Sequence, residues 1–504
     1  MHQELTVRAI LLGLLLSAIM GAANVYLGLR VGMTVSASIP AAVVGILLLR
    51  VVFRGGTILE ANQIQTAASA GESLAAGVIF TLPALVLVGA WEDFNWWLTT
   101  GIAVSGGLLG VLFMIPMRRV FVVDNKDLAF PEGVACAEVL RAAEAGSDHT
   151  QNALPIFIGA SVGALFKIFA GFFEIIAHSL QSAFFFGNQR VFYFGADISP
   201  ALLGVGFIVK WRIALLIFIG GTFAWLFCIP LLGSTGTSEL SAVDSAWHIW
   251  DSRIRYIGVG AMLVAGFDSI IRVRSGLRSA FLHVKDRLYG NNHNEGDDED
   301  ISSRSIAVLA TLIVIVIARI YFEFTHNLAV TLLATVLMFV LSFFFTAVAS
   351  YIVGLVGSSN SPVSGMTITA VLISGLFILA TTAFTGVKGI EAMAAMLGVA
   401  GIVCCVACTS GDVCNDLKTG HLVGASPKLQ QRMQIAGVIV GAVVMAPVLK
   451  LLHENTPGGI GGRELAAPQA TLFANLARGF FSDQRLPWDM VWSRGWVLAL
   501  SFCF

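Results

Sequence analysis

Five polar residues recur at helical spacing where an apolar run begins. Asn62, Gln65, Ser69, Glu72 and Ser73 follow one another mostly at steps of three and four residues, so they would share one face of a helix. A carboxylate among amides and hydroxyls can bind a polar solute or carry a proton, and this chemistry favours a substrate or proton pathway. The same side chains could instead hydrogen-bond to neighbouring helices and only hold the helices together. The glutamate favours the pathway, because an ionisable group at membrane depth costs at least about 2.5 kcal/mol.

A second polar segment, residues 354–366, separates two apolar runs. Its glycines would end the preceding helix, Ser361 suits an N-cap and Pro362 suits the first helical position, so we predict a broken helix. In carriers, helix N-termini at such breaks bind anionic groups and free carbonyls bind cations. An ordinary loop between helices is the alternative, and spacing alone does not decide between the two. The candidate pathway residues here are Ser358, Ser359, Asn360, Ser364 and Gly365.

A third set of polar residues lies within one apolar run. Lys167, Gly171, Glu174 and His178 are spaced by four, three and four residues, again on a single helical face. His178 would titrate near neutral pH, which suits a proton relay through Glu174. A charge pair that only neutralises itself would have the same spacing, so both interpretations stay open.

Seven cysteines sit mostly in or beside apolar runs, four of them at 404, 405, 408 and 414. Cys405 and Cys408 form a CxxC, but the chain has no second CxxC, so packing of small apolar side chains is the favoured interpretation. The sequence contains no HExxH, GxSxG or Walker A motif. We therefore expect no catalytic residues, no cofactor and no resident metal. An intramembrane thiol or metal enzyme is the rival hypothesis.

Composition defines the class of protein that must position these residues. The chain has 504 residues, of which 57% are hydrophobic and 12% are charged, whereas soluble domains carry about 25% charged residues. The net charge of -1 argues against a nucleic-acid partner, which requires a clustered basic surface. The lipid bilayer is the expected surrounding.

Apolar runs of about 20 residues predict some thirteen membrane spans. The expected fold is an all-α polytopic transmembrane helix bundle with broken or re-entrant helices. Two repeated halves could make up this bundle. The predicted spans are residues 5–29, 33–53, 67–90, 97–117, 153–180, 191–209, 212–233, 254–271, 305–322, 328–353, 366–385, 390–409 and 433–452.

Loop charges predict the orientation of the bundle. Loops on the side of the N-terminus are rich in basic residues and the opposite loops have few, which predicts a cytoplasmic N-terminus in an inner or plasma membrane. Asp268, Asp412 and Asp416 lie near predicted cytoplasmic ends, where we expect them to be solvated.

One hydrophilic segment divides the chain. Residues 285–304 contain an acidic run and should form a cytoplasmic loop between an N-terminal half, residues 1–284 with about eight spans, and a second half, residues 305–504. The chain stops inside a new apolar run that begins near Val491, so we expect the second half to be incomplete, through truncation or a change of frame near residues 493–496.

Several segments of the chain resemble the oligopeptide transporter family, including its yellow stripe-like branch of metal-chelate transporters. The matching segments run in order along the chain. They are residues 4–9 (ELTVRA), 24–29 (NVYLGL), 65–70 (QTAASA), 130–135 (FPEGVA), 357–366 (GSSNSPVSGM), 411–420 (GDVCNDLKTG), 422–427 (LVGASP) and 465–470 (LAAPQA). Two positions depart from the family pattern: Ser361 separates Asn360 from Pro362, and Asn415 stands where the family usually has Gln.

The resemblance implies a secondary transporter that imports small peptides or peptide-like metal chelates, coupled to protons. It also implies a pathway along residues 65–73 and 358–365, the segments that spacing selects independently. Alternating access would then move the substrate, with protonation of Glu72 or of the Glu174 and His178 pair coupled to its binding. A passive channel would have the same polar faces without coupling, and the oligomeric state is open.

Overall fold

The computed structural model describes residues 4–32, 34–125, 128–144, 166, 179–186, 190–197, 211–232, 241–254, 257, 300–358 and 361–482. In chain order its elements are α1 (Val7–Val31), α2 (Ser38–Val51), α3 (Ile58–Glu72), α4 (Leu74–Leu87), α5 (Trp96–Arg118), α6 (Pro131–Glu144), β1 (Ser179–Phe186), β2 (Arg190–Asp197), α7 (Trp211–Thr222), α8 (Ala242–Ile249), α9 (Ser303–Thr325), α10 (Leu328–Val356), α11 (Val363–Thr385), α12 (Ile390–Val423), α13 (Pro427–Asn455) and α14 (Pro468–Phe481). Short π-helical stretches extend three of these helices: Arg119–Val123 after α5, Phe223–Cys228 after α7 and Trp250–Ile254 after α8. The four-residue helix Ile229–Leu232 follows the second stretch.

The chain divides into two compact units. The first comprises Met1–Ser147 and Gly266–Leu486, and the second comprises Asp148–Ala265 and Pro487–Phe504. The predicted boundary loop, residues 285–304, is described only from residue 300 onward. The division into halves at that loop therefore stays a prediction.

Helix α12 lies at the centre of the first unit. All 18 residues of its most apolar window are buried, because small residues such as Gly398, Ala400, Gly401 and Cys404 let other helices approach it from every side. The segment Ile58–Leu87, which joins α3 and α4 through Ser73, is also almost wholly buried. A helix buried all round must satisfy its polar side chains internally, so the polar residues of α3 and α12 have to find partners in each other.

The outer helices turn one apolar face away from the bundle. On α1, Val7, Leu11, Leu15 and Ile19 recur at every fourth residue and each is more than half exposed. Such a stripe faces hydrocarbon in a membrane protein. The all-α polytopic membrane bundle predicted from the sequence is confirmed.

Glycines bring α3 and α13 into backbone contact. A Cβ atom at Gly437 would lie 2.1 Å from the carbonyl oxygen of Ala67, and one at Gly441 would lie 2.6 Å from that of Gly71. Ser17 of α1 donates a hydrogen bond to the Gly437 carbonyl at 3.0 Å. This close packing brings the polar side chains of α3 within reach of α12 and α13.

The second unit departs from an all-helical pattern within its described residues. Strands β1 and β2 form an antiparallel hairpin that pairs Ser179 with Asp197 and Phe186 with Arg190. Tyr193 of β2 packs on Trp225, with 4.6 Å between ring centroids, and Trp225 packs on Trp247 at 5.0 Å. The predicted span at 191–209 is therefore wrong at its start, because these alternating aromatic residues pair as a strand.

Nine helical segments of the described residues are long and apolar enough to cross a membrane, in agreement with nine of the thirteen predicted spans. Almost all of the predicted spans 153–180 and 254–271 lies outside the described residues. The predicted span 33–53 is wrong, because its helical part is α2, which has only 14 residues. The stretch after the fourth span, expected to be a loop, contains α6, whose Cys136, Ala137 and Leu140 are fully buried.

The chain between α1 and α3 therefore contains a non-helical stretch followed by the short helix α2. After α1 ends at Gly32, residues 34–37 are not helical, and Asn24 of α1 holds them in place. Its side-chain amide donates to the Val35 carbonyl at 2.7 Å and its carbonyl accepts from the Val35 N–H at 3.2 Å. Helix α2 therefore begins inside the bundle, next to α3 and α12. Backbone that leaves the helix at this depth is tolerated only where protein or a water-filled cavity surrounds it.

Candidate functional site

The candidate site is built around one turn of α12, residues 412–416. Asp412 and Asp416 are four residues apart and so share a face of this helix. Asp416 is fully buried, and Asp412 is partly exposed. Solvation of both aspartates was expected, and for Asp416 that expectation is wrong, because α2, α3 and α13 cover it.

Asp416 joins three helices through hydrogen bonds. Gln65 of α3 donates its amide to Asp416 Oδ1 at 2.5 Å, and Ser38 of α2 donates its hydroxyl to the same oxygen at 3.1 Å. Ser38 also shares a hydrogen bond with Ser69 of α3 at 2.9 Å. Gln430 of α13 donates to the Asp416 backbone carbonyl at 3.0 Å. The predicted polar face of α3 therefore meets an acid from another helix.

Glu72 lies at the start of α2. Its Oε2 accepts a hydrogen bond from the Ala37 N–H at 3.2 Å, and its Oε1 accepts one from the Asn24 amide. Ala37 is the N-cap of α2, so Glu72 sits at the positive end of that helix. The Glu72 carboxylate also interacts electrostatically with Asp412 and Asp416.

The broken-helix segment contacts the same turn of α12. Asn415 donates to Ser358 Oγ at 3.3 Å and to Glu132 Oε2 at 3.5 Å, and the Ser358 N–H donates to that carboxylate oxygen at 3.1 Å. Asp412 interacts with both Ser358 and Glu132. Gly357 is required here, because it has φ +88° and a Cβ atom would lie 2.7 Å from Glu132 Oε1.

A non-helical segment separates α10 from α11 as expected, but both helices are long enough to cross a membrane, so the choice between a broken helix and an ordinary loop stays open. Helix α10 ends at Val356 and α11 begins at Val363. Pro362, not Ser361, is the N-cap of α11, and the Ser361 hydroxyl has no hydrogen-bond partner within the described residues. The Pro362 backbone conformation, with ψ of 56°, delays the helix by one residue.

The N-termini of α2 and α6 and the end of α10 thus meet near residues 412–419 of α12. Ser38 begins α2 and contacts Asp416, while Glu132 in the first turn of α6 contacts Asn415. Thr419 ties α12 to α6 by donating to the Gly133 carbonyl at 3.0 Å. Ser358 leads toward α11. Each N-terminus presents unpaired N–H groups and a partial positive charge, which suits anionic groups.

The remaining residues of the predicted α3 face are also buried. Asn62 donates to Gln65 Oε1 at 3.2 Å, which orients the amide that contacts Asp416. Ser73 donates to the Ala70 carbonyl at 2.8 Å and to Thr409 of α12 at 3.3 Å. All five predicted residues of this face therefore lie between α3 and its neighbours, either at Asp416 or one to two turns from it.

Of the other predicted site residues, two lie in α11 and the rest are not among the described residues. Ser364 is partly exposed and Gly365 is buried in the first turn of α11. The predicted residues Lys167, Glu174, His178, Ser359 and Asn360 lie outside the described residues.

Five site residues escaped the sequence interpretation: Asn24, Ser38, Glu132, Asp412 and Asp416. Asn24 is a single polar residue within an apolar run, and Ser38 follows Thr34 and Ser36 in a short polar stretch that the helical-spacing argument did not select. The spacing of Asp412 and Asp416 on one face of an apolar helix was the available signal for Asp416.

The thiols form no comparable site. Cys404, Cys405, Cys408 and Cys414 are free and buried, and Thr367 donates to Cys404 Sγ at 2.9 Å. A Cβ atom at Gly77 or Gly106 would collide with Cys405, so this thiol fills a close helix contact. Within the described ranges, no group of three or more His, Cys, Asp and Glu side chains is arranged to hold a metal ion.

Comparison with known proteins places this architecture in a family. The model of the OPT oligopeptide transporter protein family matches residues 4–504. A Haemophilus influenzae protein named as an oligopeptide transporter is 35% identical over 491 residues, covering 92% of this chain and 77% of that protein. A metal-nicotianamine transporter of Arabidopsis thaliana is 24% identical over 527 residues, covering 94% of this chain and 76% of that protein. With this match over nearly its whole length, and with a polytopic bundle built around a buried polar site, the chain belongs to the oligopeptide transporter family.

Proposed function

We propose that this protein is a proton-coupled secondary transporter that imports small peptides or peptide-like metal chelates by alternating access. The observation that supports this proposal best is a cluster of four carboxylates, Glu72, Glu132, Asp412 and Asp416, at the N-termini of α2 and α6 and the end of α10. A purely structural interior would not need so many acids, because each is costly to bury.

The charges of the site suit a substrate with both signs of charge. The partly exposed carboxylates of Glu132 and Asp412 would attract an ammonium group or a chelated metal cation. The first turn of α11, with Ser364 and Gly365, offers N–H groups to a substrate carboxylate. Small peptides and the metal-nicotianamine chelates named for the Arabidopsis thaliana relative both combine such groups.

The two depths of the site suggest the order of events. Glu132, Asp412 and Ser358 are partly exposed, whereas Glu72 and Asp416 are buried behind them. Substrate would bind to the outer group, and protons would bind to the deeper acids. Separation of the helices that meet at α12 would then open the site to one side of the membrane at a time.

Five predicted residues outside the described ranges remain part of this proposal. Ser359 and Asn360 would extend the α11 break, and Lys167, Glu174 and His178 would relay protons or neutralise one another. We also propose an inner or plasma membrane location with a cytoplasmic N-terminus. Arg8 and Arg118 support this orientation, because both lie at the end of the bundle that carries the N-terminus.

Uptake by purified protein in liposomes tests the transport proposal. An inward proton gradient should drive accumulation of labelled alanine tripeptide or iron-nicotianamine, and unlabelled substrate on the far side should stimulate exchange. Exchange without proton-driven accumulation would indicate a uniporter, and flux without stimulation would indicate a channel. Absence of uptake for a panel of peptides and chelates would contradict the proposal.

Glu72→Gln tests the coupling assignment made from the sequence. Proton-driven accumulation should be lost, because the negative charge at the start of α2 is removed while the side chain keeps its shape. Glu138→Gln is the matched control, since Glu138 is exposed and forms an ion pair with Arg141 at the surface. If Glu72→Gln accumulates substrate like the control, Glu72 has no part in coupling.

A further inference from the structure

The two carboxylate oxygens of Asp416 have different surroundings. Oδ1 accepts hydrogen bonds from Gln65 and Ser38, and the Ser69 hydroxyl lies beside the same carboxyl group, whereas Oδ2 is buried and has no hydrogen-bond partner among the described residues. An ionised carboxylate in that position would leave charge on an oxygen with neither a donor nor a cation, which is costly. The neutral acid lowers this cost, because an unpaired hydroxyl is cheaper to bury than an uncompensated charge, and its hydrogen would sit on Oδ2.

Glu72, the other buried acid of the candidate site, differs in this respect. Both of its oxygens accept hydrogen bonds, one from the Asn24 amide and one from the Ala37 N–H at the start of α2. Backbone N–H donors and a helix N-terminus stabilise the ionised form. Glu72 and Asp416 interact, so ionising both at once is unfavourable. The hydrogen bonds therefore favour Glu72 as the anion and Asp416 as the acid that holds the proton.

No basic group compensates Asp416 within the described residues. The titratable groups that interact with it are Glu72, Asp412 and Cys414, together with Cys136 of α6. Gln430, from α13, is neutral. Lys418 is only two residues along α12, but it donates to the Val122 carbonyl at 2.9 Å and lies over the Phe130 ring.

We infer that Asp416 binds the coupling proton, on Oδ2, when the bundle is closed. This inference rests on the proposed proton-coupled transport and assigns the proton to an atom. A proton from the outer solution would bind Oδ2 before closure and would leave to the cytoplasm after opening, with no other bond changed. The charged form needs water or a new donor at Oδ2, so loss of the proton favours separation of α2 and α3 from α12.

Carbodiimide labelling of the unaltered protein tests the inference without a substrate. An apolar carbodiimide adds to a protonated carboxyl in an apolar site, so it should label Asp416 at mildly acidic pH and much less at alkaline pH. A water-soluble carbodiimide should label exposed acids such as Glu138 instead. Peptide mass spectrometry locates the adduct. Labelling of Glu72 with none at Asp416 would overturn the assignment.

Asp416→Asn provides the functional test. Entry of substrate should no longer be accompanied by acidification of the liposome interior, measured with a trapped pH-sensitive dye, and any remaining flux should not vary with pH. Asp93→Asn is the control, because it makes the same change in an ion pair outside the site. Normal acidification by a folded Asp416→Asn would overturn the inference.

The two proposals fail separately. Unaltered protein that moves no substrate contradicts the transport proposal, and the labelling result still decides whether Asp416 holds a proton. Transport with proton coupling that survives in Asp416→Asn contradicts only the Asp416 assignment. If Asp416→Asn does not fold, the labelling experiment alone decides.

Discussion

Burial decides what each charged residue contributes. Arg118 of α5 and Asp300 form an ion pair with 2.8 Å between Nε and Oδ1, and both side chains are about nine-tenths buried. Gln431 of α13 donates to the same carboxylate at 2.5 Å. The pair between Lys450 and Asp93 has a similar distance of 2.7 Å, but both side chains are more than a third exposed. The two ion pairs have similar distances, but removing one partner should destabilise the protein more at the buried pair than at the exposed pair.

Asp300→Asn should destabilise the protein by roughly 3–5 kcal/mol, because it leaves the Arg118 guanidinium buried without a counter-charge. Thermal unfolding in detergent measures the effect. Asp93→Asn is the control and should cost at most about 1 kcal/mol. Similar losses for the two variants would contradict the argument from burial.

The same exposed pair predicts a small pH dependence. The hydrogen bond from Lys450 lowers the pKa of Asp93, whose carboxyl lies in the loop between α4 and α5, outside the membrane-spanning segments. A lowered folded-state pKa stabilises the protein above the unfolded-state pKa, and that stabilisation is lost as the pH falls through the folded-state value. The difference in melting temperature between the unaltered protein and Asp93→Asn should therefore shrink in acid. A difference that grows in acid would contradict the pairing.

At the scale of the element, small residues determine which helices can touch. Helices α3 and α13 approach closely because Gly71, Gly437 and Gly441 carry no side chain at the contact. The polar face of α3 reaches α12 only in this arrangement. The short helix α2 also depends on its neighbours for its place in the site. Ser38 can donate a hydrogen bond to Asp416 because α2 begins inside the bundle.

Gly437→Ala should separate α3 from α13 and cost roughly 1–3 kcal/mol, because its Cβ atom would lie 2.1 Å from the Ala67 carbonyl oxygen. Gly220→Ala in α7 is the control. Among the described residues, no atom lies within 4 Å of the position that its methyl group would take, and alanine favours a helix by up to about 1 kcal/mol over glycine. Melting temperatures should move in opposite directions, and a stable Gly437→Ala would contradict the tight contact.

At the scale of the whole molecule, the described contacts of the first unit sort into two ends. Glu4 and Ser426 meet at one end, where Arg8 also pairs with Glu60 through both carboxylate oxygens. At the other end Asp93 meets Lys450 and Asn327 donates to the Thr385 carbonyl. Under the proposed orientation, which follows the positive-inside rule, the first end would face the cytoplasm.

This orientation predicts opposite accessibility for two new cysteines. Lys388 and Arg304 are both exposed and lie at opposite ends of the bundle, so a membrane-impermeant maleimide should label Lys388→Cys on intact cells. Arg304→Cys should react only after the membrane is permeabilised. Background labelling should be low once Cys503 is replaced by serine, because the six described cysteines are buried. The reverse pattern would invert the proposed topology.

Local sequence was sufficient for the membrane bundle, for nine spans, for the polar face of α3 and for the non-helical segment before α11. These follow from composition and spacing, because lipid demands apolar surfaces and internally bonded backbone wherever the chain crosses it. The half-length of α2, the docking of α6 and the burial of Asp416 depend on which helices become neighbours. Asp416 is 351 residues from Gln65 along the chain, so only tertiary packing could decide that these two side chains share a hydrogen bond.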